Sequence, residues 1–302
     1  MMSGLSNPTP DHIAFADESK FNTGRYRGIG LITLPTNERA GVAQELRHLL
    51  DESDIEEFSW KDLNGAKQRF AANKMIDCAV RHVLRGVMRV DVLTWDTHDG
   101  RHTLKGRDDI ANLHRMYHHL LKHVLRERWP DESIWALHPD EHAAIDWKAV
   151  GDFLDRTSTR QKPAGDLFTP HGFAYAVTRE FKISELTPLS SSTEPFVQLA
   201  DLFVGLAVYS RTSFTHYERW RTESTGQLRL VEYDPKLAVR ISGADKERCQ
   251  VLAEVDRRCK AHSLGVSLRS NRGLRTLNPK NPVNFWWYQP QTEADKAPVK
   301  SR

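Results

Sequence analysis

Ile13-Ala14-Phe15-Ala16-Asp17-Glu18-Ser19 is a short apolar run that ends in two adjacent carboxylates. In an extended chain Ile13 and Phe15 point to one face and Ala14 and Ala16 to the other, so both faces suit a covered sheet. Asp and Glu are poor strand formers, and a pair of them where a buried strand stops has to be offset by a partner such as a divalent cation. A solvated turn tolerates the same pair, so other residues have to decide.

Outward from this stretch, Lys20 to Arg25 is a polar turn containing Asn22 and Gly24, and Tyr26 to Leu34 reads as a second strand completing a hairpin. Pro35 ends that strand. Asn37 is placed to cap a crossover helix whose apolar stripe is Val42, Leu46, Leu49 and Leu50. Ile55 to Lys61 alternates like a half-buried strand, with Glu57 and Ser59 on one side and Phe58 and Trp60 on the other. A helix over 66–85 follows, with Phe70, Ile76, Val80 and Leu84 as its stripe and Gly86 as its stop. Met88 to Trp95 reads as a buried strand running into the polar loop 96–100, and 132–138 as another, ending in Pro139-Asp140-Glu141.

Between those two strands, the helix over 108–128 holds His114, His118, His119 and His123. Each i,i+4 pair shares a face, which is zinc-compatible spacing, but no third ligand or His-Glu-x-x-His pattern accompanies them. Structural histidines are the plainer reading. Asp146 caps a further helix, 157–173 reads as a long polar loop, 175–186 contains one more strand, and Ser190 to Pro195 is a helix start.

The helix that follows, Phe196 to Tyr209, is apolar on nearly every side and carries a single acid, Asp201. A carboxylate on a buried helix costs several kcal/mol unless it is paired or metal-bound. Gly205, one turn on, leaves room beside it for a ligand or another chain segment. Beyond residue 210 the chain turns polar and aromatic. It closes on Arg269, Arg272, Arg275 and the run Val283-Asn284-Phe285-Trp286-Trp287-Tyr288. Arginines beside aromatics suit single-stranded nucleic acid, and aromatics also plug cores.

Three of these features together resemble the DUF3800 family: the strand ending Ala16-Asp17-Glu18-Ser19, the Glu57-Phe58-Ser59-Trp60 element, and Gln198-Leu199-Ala200-Asp201-Leu202 on the late helix. The resemblance runs from about Ile13 to Tyr209. It implies a ribonuclease H-like α/β fold, a mixed sheet flanked by helices, and the activity of a metal-dependent nuclease on RNA or DNA. Two departures stand out. Lys20 replaces the usual Gly after the Ser, and Ser59 stands where members often carry Lys, with Lys61 following the Trp instead.

The ligand set follows from the resemblance together with the needs of two Mg²⁺ or Mn²⁺ ions about 4 Å apart. Asp17 would bridge the ions, Glu57 and Asp201 would flank them, and Asp140 or Glu18 would complete the shell. Lys61 would position the phosphate or orient the water, Lys20 would reach a phosphate, and Arg272, Arg275 and Trp286 would bind the rest of the nucleic acid. The same fold without metal would serve as a silent nucleic-acid- or protein-binding module. A zinc hydrolase on the histidine helix is the third class.

Composition sets the frame for these readings. The 302 residues suffice for one large domain or two ordinary ones, and the formal net charge of +3 leaves no general basic field. The expected organisation is a loose 1–12, a catalytic domain over 13–210, a mostly helical or irregular extension over 211–291 packed on the core, and a solvated tail at 292–302. Cys78, Cys249 and Cys259 are odd in number and lack Cys-x-x-Cys, which suits a reducing cytoplasm. No apolar run has the length of a membrane span, and the first dozen residues lack the apolar core of a signal peptide.

Overall fold

The protein is described by a computed structural model covering residues 8–20, 22–99, 108–142, 144–164, 174–224 and 241–289. The expected loose start, the far part of the 157–173 loop and the solvated tail lie wholly or partly outside these residues.

Strands β1 (His12–Ser19) and β2 (Tyr26–Pro35) form the antiparallel hairpin, and β2 pairs antiparallel with β3 (Arg89–Asp96). On the other side β1 pairs parallel with β4 (Ser133–Pro139), which pairs parallel with β7 (Phe181–Leu186). The central sheet has six strands in the order β10-β3-β2-β1-β4-β7, in which β10 (Val283–Trp287) runs parallel to β3. Five strands therefore point the same way and only β2 opposes them. With the hairpin at its centre and parallel crossovers outward, the sheet has the ribonuclease H-like plan.

Side-chain alternation divides the core in two. Ile13 and Phe15, with Ile32, Leu34, Val90 and Val92, pack on α1 (Arg39–Asp51), α2 (Ala66–Leu84), α5 (Pro195–Thr212) and α7 (Gly243–Ala261). Ala14 and Ala16, with Ile29, Leu31 and Leu93, face α3 (Asp109–Glu127) and α4 (Trp147–Thr157). The small alanines leave room for Tyr117 of α3 and Trp135 of β4, which are fully buried.

Several expectations are corrected. Ile55 to Lys61 is not a strand: it is an irregular segment entering a short 3-10 turn at Trp60–Asp62. Its amides find side-chain acceptors instead, Phe58 N donating to Gln198 Oε1 and Trp60 N to Asp201 Oδ2. Thr36–Glu38 forms a 3-10 turn, so α1 starts at Arg39 and Asn37 is not its cap. Phe70 and Leu84 are 57% and 48% exposed, and the buried stripe of α2 runs through Ala72, Met75, Ile76, Ala79 and Val83. The expected loop after Thr157 contains β5 (Thr159–Ala164), paired antiparallel with β6 (Ala174–Arg179), and 175–186 holds two strands where one was expected. Helices α3, α4 and α5 start where expected, with Asp108 and Asp146 accepting capping bonds and Pro195 in the first turn.

The C-terminal part includes helices α6 (Phe214–Ser224) and α7 and the short antiparallel pair β8 (Val266–Ser267) and β9 (Arg275–Thr276), and through β10 it also builds the sheet. Asp91, fully buried on β3, accepts from Asn284 Nδ2 at 3.0 Å, and Arg89 bonds Asp91 and the carbonyls of Lys280 and Asn281. These bonds tie β10 and the residues before it to β3 across 191 to 193 residues of sequence.

Candidate active site

Helix α5 lies against the hairpin because β2 carries Gly28 and Gly30 beneath it. A Cβ on Gly30 would fall 2.5 Å from the Ala200 carbonyl oxygen, and one on Gly28 would fall 2.8 Å from Val204. This close approach brings Asp201 to the carboxyl end of β1. Gly205 makes the second close approach: an added Cβ would stand 2.2 Å from the Trp60 indole. The room predicted beside Asp201 is thus filled by the segment that carries Glu57.

Asp17, Glu18, Glu57, Asp140 and Asp201 line one pocket of about 560 Å³, together with Lys20, Lys61, Ser191 and Arg248. The acids come from β1, the 52–65 segment, the end of β4 and α5, and they meet where the parallel strands end. Gln198 organises the arrangement from within. Its Oε1 accepts from Phe58 N at 2.8 Å and its Nε2 donates to the Ser191 carbonyl at 2.7 Å, so one side chain holds two of the contributing segments. Ser191 in turn donates its hydroxyl to Glu57 Oε1 at 2.8 Å and its amide to Asp140 Oδ1 at 3.2 Å. Asp201 Oδ2 accepts from Ser59 Oγ and Trp60 N at 3.2 and 2.7 Å. Gln198 and Ser191 stood in the sequence only as parts of a motif and of a helix start. The one available signal was that Gln198 lies one turn before Asp201 on an otherwise apolar helix.

The electrostatics are those of crowded acids. Burial pushes the Asp17 carboxyl well above the usual carboxylate range, and the charges of Asp201, Glu18 and Asp140 push it further. Burial raises Asp201 to about 6, against the pull of its bonds from Trp60 and Ser59 and of nearby Lys61. Glu18 rises to about 7, again chiefly by burial, while the Tyr117 hydroxyl that donates to it works the other way. Burial raises Asp140 too. His142 Nε2 lies 3.5 Å from Glu18.

No three of these carboxylates bring one oxygen each within 4.8 Å of one another; among the described residues only Glu45, Cys78 and His82 do. That trio is a closed network, since the Glu45 carboxylate already accepts from Arg81 and bonds His82 at 2.8 Å. The four histidines of α3 have separate partners: His114 accepts from Asp146 N, His118 bonds Thr157 Oγ1, His119 packs on Trp286 and Tyr288, and His123 bonds Glu127. Asp96, the acid at the end of β3, is held by Arg25 in a two-pronged ion pair outside the pocket.

The expected substrate residues divide. Lys20 joins the acids, whereas Arg272, Arg275 and Trp286 line a second cavity of about 900 Å³ with Arg211 and Trp287. The aromatic run divides in two: Phe285 and Tyr288 are core residues, and Trp286 and Trp287 are half-buried on the cavity wall.

Fold and pocket define a ribonuclease H-like α/β protein with an acidic cleft at the carboxyl end of its sheet. The chain is 36% identical over 294 residues to the uncharacterized protein ORF2' of Methanothermobacter thermautotrophicus, a match covering 95% of this chain and 97% of the relative. It is 34% identical to the uncharacterized ORF2 of the same organism over a stretch of the same length and coverage. It belongs to the family of these ORF2 proteins. No family model matches it. Among solved structures, a chain from the PCNA:RNase HII complex of Archaeoglobus fulgidus aligns with 94% of this chain and 98% of its own length, at a TM-score of 0.39 and 12% identity, a likeness that decides nothing further. No described helix is long and apolar enough to cross a membrane.

Proposed function

We propose that the protein is a divalent-metal-dependent nuclease, hydrolysing phosphodiester bonds of RNA or DNA, as its resemblance to the DUF3800 proteins implies. The observation that carries this reading is the convergence of Asp17, Glu18, Glu57, Asp140 and Asp201, from four chain segments, on one pocket that also holds Asp245, Lys20, Lys61 and Arg248.

The donor set fits Mg²⁺ or Mn²⁺. It is all oxygen, and ions of this kind are commonly bound by one or two carboxylates while keeping several waters, which suits acids too far apart for three to share one ion. Asp17, which feels the charges of Asp201, Glu18 and Asp140, is the residue to hold the site together, with Glu57, Asp140 and Asp201 around it. When bound, such ions supply charge stabilisation at the phosphoryl group and lower the pKa of water. The chain's own groups do the rest. Lys61 and Lys20 hold the phosphate, and Glu18, fixed by the Tyr117 hydroxyl that donates to it, completes the set of acids.

The test is cleavage of end-labelled RNA and DNA oligonucleotides with Mg²⁺, with Mn²⁺ and with chelator. The parent should cleave only with metal, and Asp201→Asn should lose at least a hundredfold in rate. Metal-independent cleavage, or none under any of these conditions, contradicts the reading, and the second result favours a silent binding module.

A further inference from the structure

The second cavity is a built site. Arg211, the penultimate residue of α5, lays its guanidinium over the Trp287 ring at 3.6 Å from the centroid. Its Nε is buried without a hydrogen-bond partner. The loop carrying Arg272 and Arg275 is fixed beside it: Leu274 N donates to Ser210 Oγ at 2.9 Å, and Gly273, at φ +68°, lies so close that a Cβ there would stand 2.7 Å from Arg211 Cγ. Among the described residues no carboxylate pairs with any of these three arginines. Burial and the two neighbouring arginines lower Arg211 to about 10, against the pull of Tyr26 and Asp96. Glu127, the acid on the wall, is already engaged by Arg128 and His123. Three crowded cations beside two half-buried indoles match a chain of phosphates and bases.

The cavity also stands in register with the acidic pocket. Trp286 and Trp287 pair with Leu93 and Thr94, Gly28 and Gly30 with Thr94 and Val92, and Asp17 with Gly30, so the two indoles and Asp17 lie toward the same end of the sheet. Their strands, β10 and β1, are three strand spacings apart, roughly 14 Å. Adjacent residues at the end of α5 connect them, Arg211 lining one and Thr212 the other. A stacked strand advances about 3.4 Å per nucleotide, so roughly four nucleotides span that distance.

We propose that this cavity grips the unpaired part of one RNA or DNA strand, with Arg211, Arg272 and Arg275 on its phosphates and Trp286 against a base, about four nucleotides from the bond held in the acidic pocket. The grip stands on the cavity alone, while the spacing rests on the nuclease reading. A duplex keeps its base faces stacked inside and offers nothing to the indole, which is why the occupant is a single strand.

The test measures binding of a fluorescein-labelled single-stranded 12-mer in chelator, where cleavage cannot contribute, to the parent and to the Arg272→Ala/Arg275→Ala double variant. The double variant should bind at least tenfold more weakly, and its dependence of log K on log salt should be shallower by about 1.4, the loss of two phosphate contacts on a single strand. Arg272→Ala alone, at an exposed position, should show about half the slope change and guards against a folding defect in the pair. Unchanged affinity and slope overturn the grip and leave the nuclease reading standing. Binding of a mononucleotide as tight as that of the 12-mer also overturns it, in favour of a nucleotide site. Arginine-dependent binding by a parent that never cleaves supports the grip and defeats the nuclease reading.

Discussion

Lys20 holds φ at +57°, the left-handed region where glycine is at ease and other residues spend roughly 1–2 kcal/mol. The backbone therefore turns as a glycine would, although the sequence departs from the expected Gly at this position. The turn also places Lys20 on the wall of the acidic pocket. His119 shows a different constraint. It lies between Trp286 and Tyr288, at ring distances of 5.0 and 4.9 Å, and its Nε2 is buried without a partner. Burial pushes its imidazole down from 6.5 to about 3, and His123, His118, Arg115 and Lys122 push the same way. With the folded value depressed, the unfolded chain takes up the proton first, so this contribution to stability is whole above about pH 6.5 and is lost as pH falls toward 3. At pH 5 the loss from this one residue reaches up to about 2 kcal/mol. His119→Phe keeps a ring in the stack and removes the titration. Its melting temperature should match or exceed the parent's at pH 7.5 and should fall less between pH 7 and pH 5; parallel curves for the two proteins would show that His119 is not the titrating group.

Helix α5 is the element on which the site depends, because Gln198 and Asp201, one turn apart, hold two other segments in place, that of Phe58 to Trp60 and that of Ser191. Its approach to the hairpin depends on Gly30. In Gly30→Ala the new methyl meets the backbone oxygen of Ala200, which can move only if the helix does. The expected cost is about 1–3 kcal/mol, several degrees in melting temperature, and the stabilisation by Mn²⁺ should weaken with it because Asp201 rides on the displaced helix. Gly41→Ala on α1, where nothing lies within 4 Å, is the control and should stabilise slightly. Equal melting of Gly30→Ala and parent would mean that the helix does not need this contact. The central position of α5 was legible in the sequence, since a continuous apolar helix with one acid demands explanation. The 55–61 segment was not. Phe58 and Trp60 mimic strand alternation, and the acceptors that replace a strand partner are side chains 140 residues away.

At the scale of the whole molecule, short-range pattern and long-range pairing contributed differently to what could be read. The hairpin, the strands over 88–95 and 132–138 and the helices between them follow from alternation, caps and glycines, which are local. Strand β10 does not. Its aromatic residues are equally suited to a core or a cleft, and its place at the sheet edge comes from parallel pairing with β3 and from the buried Asp91–Asn284 bond. One strand was expected within 175–186, and it is the parallel pairing with β4 that sets β7, whose burial is mostly partial, apart from β6. Of the candidate site, Asp17, Glu18, Glu57, Asp140, Asp201, Lys20 and Lys61 were named in advance and line one pocket. Arg272, Arg275 and Trp286 belong to another place, beside the edge strand β10, because the loop and strand that carry them fold against the far end of α5.

The central claim is that Asp17 sits among acids whose repulsion is tolerated for the sake of a bound metal. Its most direct test compares the parent with Asp17→Asn, an isosteric change that removes one charge from the crowd of Glu18, Asp140 and Asp201. Cleavage of RNA and DNA with Mn²⁺ is measured beside thermal melting with Mn²⁺ and with chelator. The variant should lose cleavage by orders of magnitude, melt at or above the parent in chelator, and gain less from Mn²⁺. Cleavage at the parent's rate, or equal stabilisation of both proteins by Mn²⁺, would contradict the claim.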